Sequence, residues 1–182
     1  MRLAQAGDRE AFEMLVERHA TELYRLAAAI VGEVDARDLT QEAFVKAWTD
    51  LPRLRQPESF PFWLRRICVN RCRNWLRASG RRGRPISLDA DDTFADRLHD
   101  GRRDFRGAIE ARVVIQPAFE GLTPDQRAML VLHYTFGYSI AEAADALDVR
   151  VGTAKSRLNA GLVALRRAVG TIDANPKPEV AL

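Results

Sequence analysis

Residues 139–159 read SIAEAADALDVRVGTAKSRLN, a pattern typical of two helices joined by a tight turn. Ser139 can cap a helix that runs to Leu147, a turn follows at residues 148–150, and a second helix starts near residue 152 or 153. Small or apolar residues stand where two such helices cross closely, namely Ala144, Leu147, Val149, Ala154 and Leu158. The spacing predicts a helix-turn-helix.

The outer face of the second helix carries side chains that donate hydrogen bonds. Such side chains contact phosphates or base edges when a helix enters the major groove of DNA. The alternative is an ordinary helical hairpin with a polar outer face. Spacing, turn and a basic second helix coincide here, which favours DNA binding. The predicted DNA-contacting residues are Thr153, Lys155, Ser156, Arg157 and Asn159.

The composition indicates a soluble globular chain. Its 182 residues are enough for one ordinary domain or two small ones. Hydrophobic residues make up 47% and charged residues 29%, which is usual for such proteins. No apolar run approaches the roughly 18 residues of a membrane span, and residues 1–8 lack the apolar segment of a signal peptide. We therefore expect a cytoplasmic protein without a membrane partner.

Helical periodicity runs through most of the chain, without convincing strand alternation, so the expected fold class is all-α. One amphipathic stripe extends over Phe12–Ile30 and breaks at Gly32. Another helix is expected over Phe60–Leu76, burying Phe62 or Trp63 together with Ile67.

The helix between these two has its own start and stop signals. Asp35 can cap it, and Val34 and Leu39 are spaced as a hydrophobic staple. Pro52 ends it, and a loop follows to Ser59. Its predicted core stripe consists of Leu39, Ala43, Ala47, Trp48 and Leu51.

The charge distribution is more informative than the net charge of +3. Residues 59–88 contain no acidic residue. A block of one sign repels itself unless an anionic partner offsets it, so nucleic acid is favoured over a solvated helix face. The arginines of this block are Arg65, Arg66, Arg71, Arg73, Arg77, Arg81, Arg82 and Arg84.

The two cysteines do not suggest a metal site. Cys68 and Cys72 lie four residues apart in a helical stretch, and the three histidines are scattered elsewhere. A disulfide between successive turns of one helix would be strained, so small buried hydrophobic side chains are expected. No paired carboxylates, nucleophile and base, or phosphate-binding loop stand in any motif. We expect no catalysis, no metal and no cofactor.

The middle of the chain divides it into two domains. Residues 80–104 are rich in Gly, Arg and Asp and have weak periodicity, which is typical of a flexible linker. Beyond it, residues 123–126 (TPDQ) form a capping box with proline at the first helical position, opening a helix that continues to Gly137. The predicted organisation is a helical domain over 1–79, a linker over 80–108, a second helical domain over 109–170, and a disordered tail over 171–182.

Four motifs resemble one known family. The stretch VGTAKSRL at 151–158 resembles the signature of the −35-reading domain in extracytoplasmic-function (ECF) sigma factors of bacterial RNA polymerase. The N-terminal half is similar to the family at AGD (6–8) before Ala11-Phe12, at DLTQEAF (38–44), and at FPFWLRRI (60–67) before Asn70. These matches occur in family order over about residues 5–170.

The resemblance implies partners as well as a fold. Family members are promoter-specificity subunits that bind the clamp helices and flap of core RNA polymerase, and an anti-sigma factor often covers the polymerase-binding surfaces. The linker would then thread the RNA-exit region, where its aspartates either mimic nucleic acid or serve only as a tether. The residues expected to bind core polymerase are Asp38, Gln41 and Glu42.

The resemblance also assigns the −10 element to the loop at 51–59 and the following helix. There a base of the non-template single strand leaves the stack for a protein pocket. Asn70 would donate to that base, although a buried or capping role is the alternative. Leu54, Glu58 and Ser59 would form the pocket wall, while the strand backbone would be held by Arg65, Arg66, Arg73 and Arg77. The −35 duplex would meet the helix-turn-helix residues named above.

Some positions depart from the family pattern. Asp148 stands at the turn where glycine is usual, although aspartate tolerates the left-handed region better than most residues. Ala154 replaces a β-branched core residue, and Ala160 and Gly161 replace residues that are often basic, so the −35 contacts are expected to differ. A stand-alone helix-turn-helix regulator with an N-terminal sensing or dimerisation module is the competing hypothesis. It leaves the 38–44 motif and the arginine block unexplained.

Overall fold

The computed structural model describes residues 1–79, 119 and 121–173, with side chains described up to residue 167. Within these residues all regular secondary structure is helical, as the periodicity predicts. The α-helices are α1 (Arg2–Gln5), α2 (Arg9–Val31), α3 (Glu33–Asp50), α4 (Phe60–Ala78), α5 (Pro124–Leu130), α6 (Ile140–Ala146) and α7 (Val151–Asp173). Short 3-10 turns occupy Leu51–Arg53 and Pro57–Ser59, and a π-helical turn at Val131–Thr135 extends α5. The expected linker and the expected start of the second domain near residue 109 lie outside the described residues.

Helices α2, α3 and α4 pack together as the N-terminal core. Small residues bring their axes close: Ala27 of α2, Ala43 of α3 and Cys68 of α4 are all completely buried. Both cysteines are buried and free, so the expected role as small hydrophobic side chains agrees with the structure. The stripe expected over Phe12–Ile30 also faces this core.

The start of α3 differs from the sequence prediction. Gly32 has a φ of 89°, a left-handed conformation that glycine adopts without strain, and this lets α3 begin at Glu33 directly after α2. Asp35 therefore lies inside the first turn and does not cap the helix. The predicted staple is also wrong, because Leu39 is buried but Val34 is 73% exposed.

The buried face of α4 is rotated from the predicted one. The fully buried positions are Phe60, Leu64, Cys68, Val69, Cys72 and Leu76. The side chains expected in the core, Phe62, Trp63 and Ile67, are only half-buried and pack around its edge. Arg73, on the same helix, is also buried, with 6% of its surface exposed.

Two capping boxes define the C-terminal helices. The Thr123 hydroxyl accepts from the amide of Gln126 at 3.3 Å, and the Gln126 side chain accepts from the Thr123 amide at 2.9 Å. Ser139 and Glu142 make the same reciprocal pair at 3.2 and 2.8 Å. Both boxes satisfy amide donors that a helix start leaves without partners.

The helix-turn-helix forms as the sequence predicts. Asp148 adopts the left-handed conformation with a φ of 54°, and the amide of Val149 donates to the Ala144 carbonyl at 2.9 Å. Ala144, Ala154 and Leu158 are buried in the small core between α6 and α7. Helix α7 continues to Asp173, three residues beyond the predicted end of the second domain.

Gly161 allows two helices to pack closely, a role that the comparison with the family pattern did not suggest. A β-carbon at this position would lie 3.0 Å from Cδ1 of Leu130 and 3.6 Å from Cβ of Gln126. Leu130 is completely buried, so it has little room to move. The glycine therefore permits the close crossing of α5 and α7.

We predict that Gly161→Leu lowers the free energy of unfolding by about 1–3 kcal/mol, because it overpacks this crossing. The matched control is Gly152→Leu, since a β-carbon on Gly152 has no atom within 4 Å. Both changes favour the helical conformation, so the control should not lose stability. Urea unfolding followed by circular dichroism measures both; equal stability of the two variants would contradict the packing role.

Candidate nucleic-acid interface

The arginine face of α4 lies against the C-terminal helices. Four of its arginines, Arg65, Arg66, Arg73 and Arg77, each reach an oxygen atom on residues 125–148. The block of positive charge thus finds its anionic and polar partners within the chain. The two halves of the molecule meet through the residues that the sequence assigns to nucleic-acid contact.

Arg73 makes the most buried of these contacts. Its Nε donates to Oδ1 of Asp125 at 2.7 Å, and its Nη1 donates to the Leu147 carbonyl at 2.8 Å. Nη1 also donates to the side-chain oxygen of Asn70 at 2.9 Å. The amide expected to read a base is therefore half-buried and engaged by a neighbouring guanidinium group.

Asp125 collects three guanidinium groups. Besides Arg73, Arg77 donates to both carboxylate oxygens at 2.8 and 3.0 Å, and Arg157 lies 2.9 Å from Oδ2. Burial alone would raise the pKa of Asp125. The hydrogen bond and charge of Arg73, the charge of Arg157 and the hydrogen bond of Arg77 outweigh it and lower the pKa below the usual value.

A second contact between the halves is centred on Tyr138. Its hydroxyl accepts a hydrogen bond from Arg65 at 3.1 Å, and its ring meets Phe62 edge-on at 5.5 Å between centroids. Arg65 also pairs with Glu22 at 2.7 Å. Arg66 lies at the margin, 3.8 Å from Asp145 and 3.5 Å from Asp148, and its partners are largely exposed.

Arg127 forms a third contact and is 2% exposed. It donates to the carbonyl of Ile30 at 3.0 Å, in the last turn of α2, and its guanidinium lies 5.8 Å from the Phe119 ring centroid. A cation at the C-terminal end of a helix satisfies a free carbonyl and interacts favourably with the helix dipole.

The loop predicted to contact the −10 element is held in place by Gln5. Gln5 donates from Nε2 to the carbonyls of Leu51 and Leu54 at 3.3 and 2.7 Å. Ser59 donates its hydroxyl to the Gln56 carbonyl at 2.7 Å, while Glu58 is exposed. Sequence reasoning missed Gln5, because its partners lie 46 and 49 residues away and accept through backbone atoms.

The predicted recognition face of α7 is exposed with one exception. Thr153, Lys155, Ser156 and Asn159 are open to solvent, whereas Ala154 and Leu158 point into the core. The exception corrects the sequence prediction: the Arg157 side chain is only 25% exposed because it turns toward Asp125.

The predicted docking residues lie on the outer side of α3. Asp38, Gln41 and Glu42 are exposed. The carboxylate of Glu42 lies 3.6 Å from the guanidinium group of Arg71, and both side chains are about half exposed. Beside them a groove of about 540 Å³ runs between α2 and α3. Its lining is largely apolar and includes Phe12, Val16, Phe44, Val45 and Trp48, with Gln41 among the polar contributors.

Asp125, Tyr138 and Arg127 are the interface residues that the sequence analysis did not assign. Asp125 was visible only as part of a capping box, and it meets Arg73 from 52 residues away. Arg127 is buried, but nothing in the sequence distinguishes it from an exposed arginine on a helix. Only the tertiary fold brings these groups together.

No helix in the described ranges is both long and apolar enough to cross a membrane. The same ranges hold no group of three or more His, Cys, Asp or Glu side chains placed to bind a metal ion.

The lowered pKa of Asp125 predicts a pH dependence of stability. A depressed carboxyl pKa stabilises the folded chain above the ordinary aspartate pKa of about 3.9, and this contribution is lost as pH falls through the lowered value. We expect wild type to exceed Asp125→Asn in free energy of unfolding at neutral pH, with the difference shrinking in acid. Urea unfolding of both chains from pH 7 to pH 3 measures this; a constant difference would contradict it.

Comparison with known proteins agrees with this architecture. The model of Sigma-70 region 2 matches residues 15–82, and that of Sigma-70, region 4 matches residues 112–165. The ECF RNA polymerase sigma-E factor of Escherichia coli (strain K12) is 35% identical over 162 residues, which cover 85% of this chain and 84% of the relative. The sigma-E factor of Haemophilus influenzae is 30% identical over 160 residues, 85% of each chain.

Two solved structures share the fold. CnrH in complex with the cytosolic domain of CnrY has a TM-score of 0.61 and 26% identity, over 96% of both chains. The sigma factor RpoE of Bartonella quintana, in complex with the anti-sigma factor NepR, has a TM-score of 0.62 and 21% identity, over 88% of this chain and 98% of that one. The resemblance carried by the four motifs and the all-α fold class are confirmed. The chain belongs to the ECF group of the sigma-70 family and is an RNA polymerase sigma factor of transcription initiation.

Proposed function

We propose that this sigma factor divides promoter recognition among three surfaces. Helix α3 docks on core RNA polymerase, α4 with its preceding loop holds the melted −10 strand, and α7 reads the −35 duplex. The factor is not itself an enzyme: catalysis belongs to the polymerase, and this chain supplies specificity and promoter melting in the cytoplasm. The exposed polar face of α7 carries the proposal.

The −35 assignment rests on the geometry of that face. Lys155, Ser156 and Asn159 project to solvent from one helix whose opposite side, Ala154 and Leu158, is fixed by α6. A helix that presents donors in this way can enter the major groove, although Arg157 would first have to leave Asp125. Thr153, which is exposed at the start of the helix, would contact a phosphate together with the backbone amides.

Two features support the assignment of the −10 strand to α4: the positive charge of this helix and the preceding loop, which Gln5 holds in place. Arg65, Arg66, Arg73 and Arg77 follow the same face of α4 that carries Asn70, and the loop walls at Leu54, Glu58 and Ser59 precede this helix. Single-stranded nucleic acid binds to such positively charged surfaces. The strand would have to replace the partners that Arg73 and Asn70 have within the chain. Gln5 holds the loop through two carbonyls, which fixes the pocket wall before DNA arrives.

The docking assignment rests on an acidic and amide face beside an apolar groove. Asp38, Gln41 and Glu42 are exposed next to the groove between α2 and α3. A helix with an apolar stripe flanked by basic residues would fill such a surface. By resemblance to the family, the clamp helices of the polymerase are the expected partner, and an anti-sigma factor would act by occupying the same face.

We predict that Lys155→Ala weakens recognition of a −35 element by about 1–3 kcal/mol if the lysine contacts a base, and by less if it contacts only a phosphate. Run-off transcription with core enzyme, on templates selected from a randomised promoter library, measures the change. Arg25→Ala, which removes an exposed cation from α2, is the matched control. Normal transcription of every selected template by Lys155→Ala would contradict the recognition helix.

We predict that Glu42→Lys prevents holoenzyme assembly, because it places a cation on a face that must accept a basic helix. The half-exposed pair with Arg71 contributes at most about 1 kcal/mol, so the fold should survive. Glu17→Lys makes the same charge reversal on exposed α2 surface outside the groove and serves as control. Pull-down of core enzyme measures assembly; equal recovery with both variants would remove the proposed docking face.

A further inference from the structure

The loop at 51–59 receives two hydrogen bonds from the first helix of the chain. Nε2 of Gln5, the last residue of α1, donates to the carbonyl of Leu54 at 2.7 Å and to that of Leu51 at 3.3 Å. A side-chain amide carries two hydrogens, so one nitrogen can serve both carbonyls. The two ends of one turn are therefore held by a residue that lies 46 and 49 positions earlier in the chain.

The loop's own backbone hydrogen bonds close two short turns and leave the segment between them without support. The amide of Leu54 donates to the Leu51 carbonyl at 3.1 Å, and the amide and hydroxyl of Ser59 donate to the Gln56 carbonyl at 3.0 and 2.7 Å. Between these turns the backbone is extended at Leu54 and at Gln56. In the described part of the chain, the carbonyl of Leu54 accepts a hydrogen bond only from Gln5. An extended segment with so few hydrogen bonds opens easily unless another element holds it.

Helix α1 is a firm support for this contact, although it has only four residues. Ala4 is 2% exposed and belongs to the N-terminal core. Gly7 has a φ of 93°, a left-handed conformation that lets the chain reverse into α2, whose N-cap is Asp8. The amide of Asp8 donates to the Leu3 carbonyl at 3.1 Å across this reversal. The position of Gln5 is thus fixed by the start of α2.

The held turn carries Leu54, one of the residues expected to wall the base pocket. Leu51 is completely buried, and Leu54 is half-buried, so the bonds from Gln5 determine where the exposed part of Leu54 stands. A binding site discriminates between ligands only if its walls are held to within about 0.5 Å of the productive geometry. In a mobile loop, a wrong base would fit nearly as well as the right one, and binding would also have to order the loop.

We propose that Gln5 is a positioning residue for −10 recognition, which fixes the loop at 51–59 so that its wall selects one base of the non-template strand. The inference rests on the proposed −10 role of this loop. Gln5 acts through the loop backbone and needs no contact with DNA. It also precedes residues 15–82, which the model of Sigma-70 region 2 matches. Part of the −10 specificity therefore resides in the first helix of the chain.

Three substitutions at position 5 separate the hydrogen bonds from the helix that carries them. Met, Glu and Lys have helix propensities close to that of Gln, so each of them keeps α1. Gln5→Met has a similar length but no donor, and Gln5→Glu places acceptor oxygens against the two carbonyls. Gln5→Lys keeps a donor group and tests for rescue. Thr21→Met is the control, because it makes the same replacement of a polar side chain by Met at an exposed position of α2.

The first measurement follows the loop itself in the full chain without DNA or polymerase. The amide of Leu54 donates to the Leu51 carbonyl, so its hydrogen exchange reports how often this turn opens. We expect exchange at Leu54 to accelerate about two- to tenfold in Gln5→Met and Gln5→Glu, which is the effect of one ordinary hydrogen bond. Gln5→Lys and Thr21→Met should exchange at the wild-type rate. Unchanged exchange in both Gln5→Met and Gln5→Glu would overturn the positioning role.

The second measurement is base discrimination by the holoenzyme. Run-off transcription on templates randomised in the −10 element gives the ratio between the preferred base and the others at each position. We expect Gln5→Met and Gln5→Glu to lower the largest ratio about two- to tenfold, with the −35 preference unchanged, while Gln5→Lys and Thr21→Met keep it. The added charge of the lysine does not affect this ratio, because phosphate contacts carry no sequence information. A transcript yield that falls equally on every −10 sequence would indicate a structural defect and count against the inference.

Leu54→Ala tests the −10 role of the loop separately from the role of Gln5. A lowered ratio in Leu54→Ala, together with wild-type ratios in Gln5→Met and Gln5→Glu, would refute the positioning role and leave the proposed function standing. A wild-type ratio in Leu54→Ala would refute the −10 role of the loop itself, whatever the variants at position 5 show. Circular dichroism checks that each variant keeps its helices.

Discussion

Helix α4 concentrates positive charge on one face, and the contacts between the two halves of the chain follow from that charge. Arginines at 65, 66, 73 and 77 stand on one helix without an acidic neighbour in residues 59–88, so their charge must be offset from elsewhere. The offset comes from Glu22, from Asp125 and from the carboxylates at the helix-turn-helix, while Tyr138 accepts a hydrogen bond from Arg65. The same requirement explains why the two halves meet.

Two of the contacts use backbone carbonyls, and they behave differently from the ion pairs. Arg73 donates to Leu147 at the end of α6, and Arg127 donates to Ile30 in the last turn of α2. Carbonyls at helix ends lack internal partners, so a buried guanidinium group satisfies an acceptor that would otherwise need water. Salt screens an ion pair more than it weakens such buried hydrogen bonds. Separation of the two halves would rehydrate both helix ends, so these two hydrogen bonds favour the contact between the halves.

Helix caps and turns, which depend on neighbouring residues, can be predicted from the sequence, whereas contacts between residues far apart in the chain cannot. The capping box at 123–126, the cap at Ser139 and the turn at Asp148 each depend on residues within four or five positions of one another, and all form where the sequence indicates them. The failures at Asp35 and Val34 have a local cause, because a glycine with positive φ let α3 begin earlier. Arg157 was expected to be exposed, and its contact with Asp125 could not be read from spacing. The electrostatic partner of the arginine block was predicted to be nucleic acid, whereas the structure adds the chain itself.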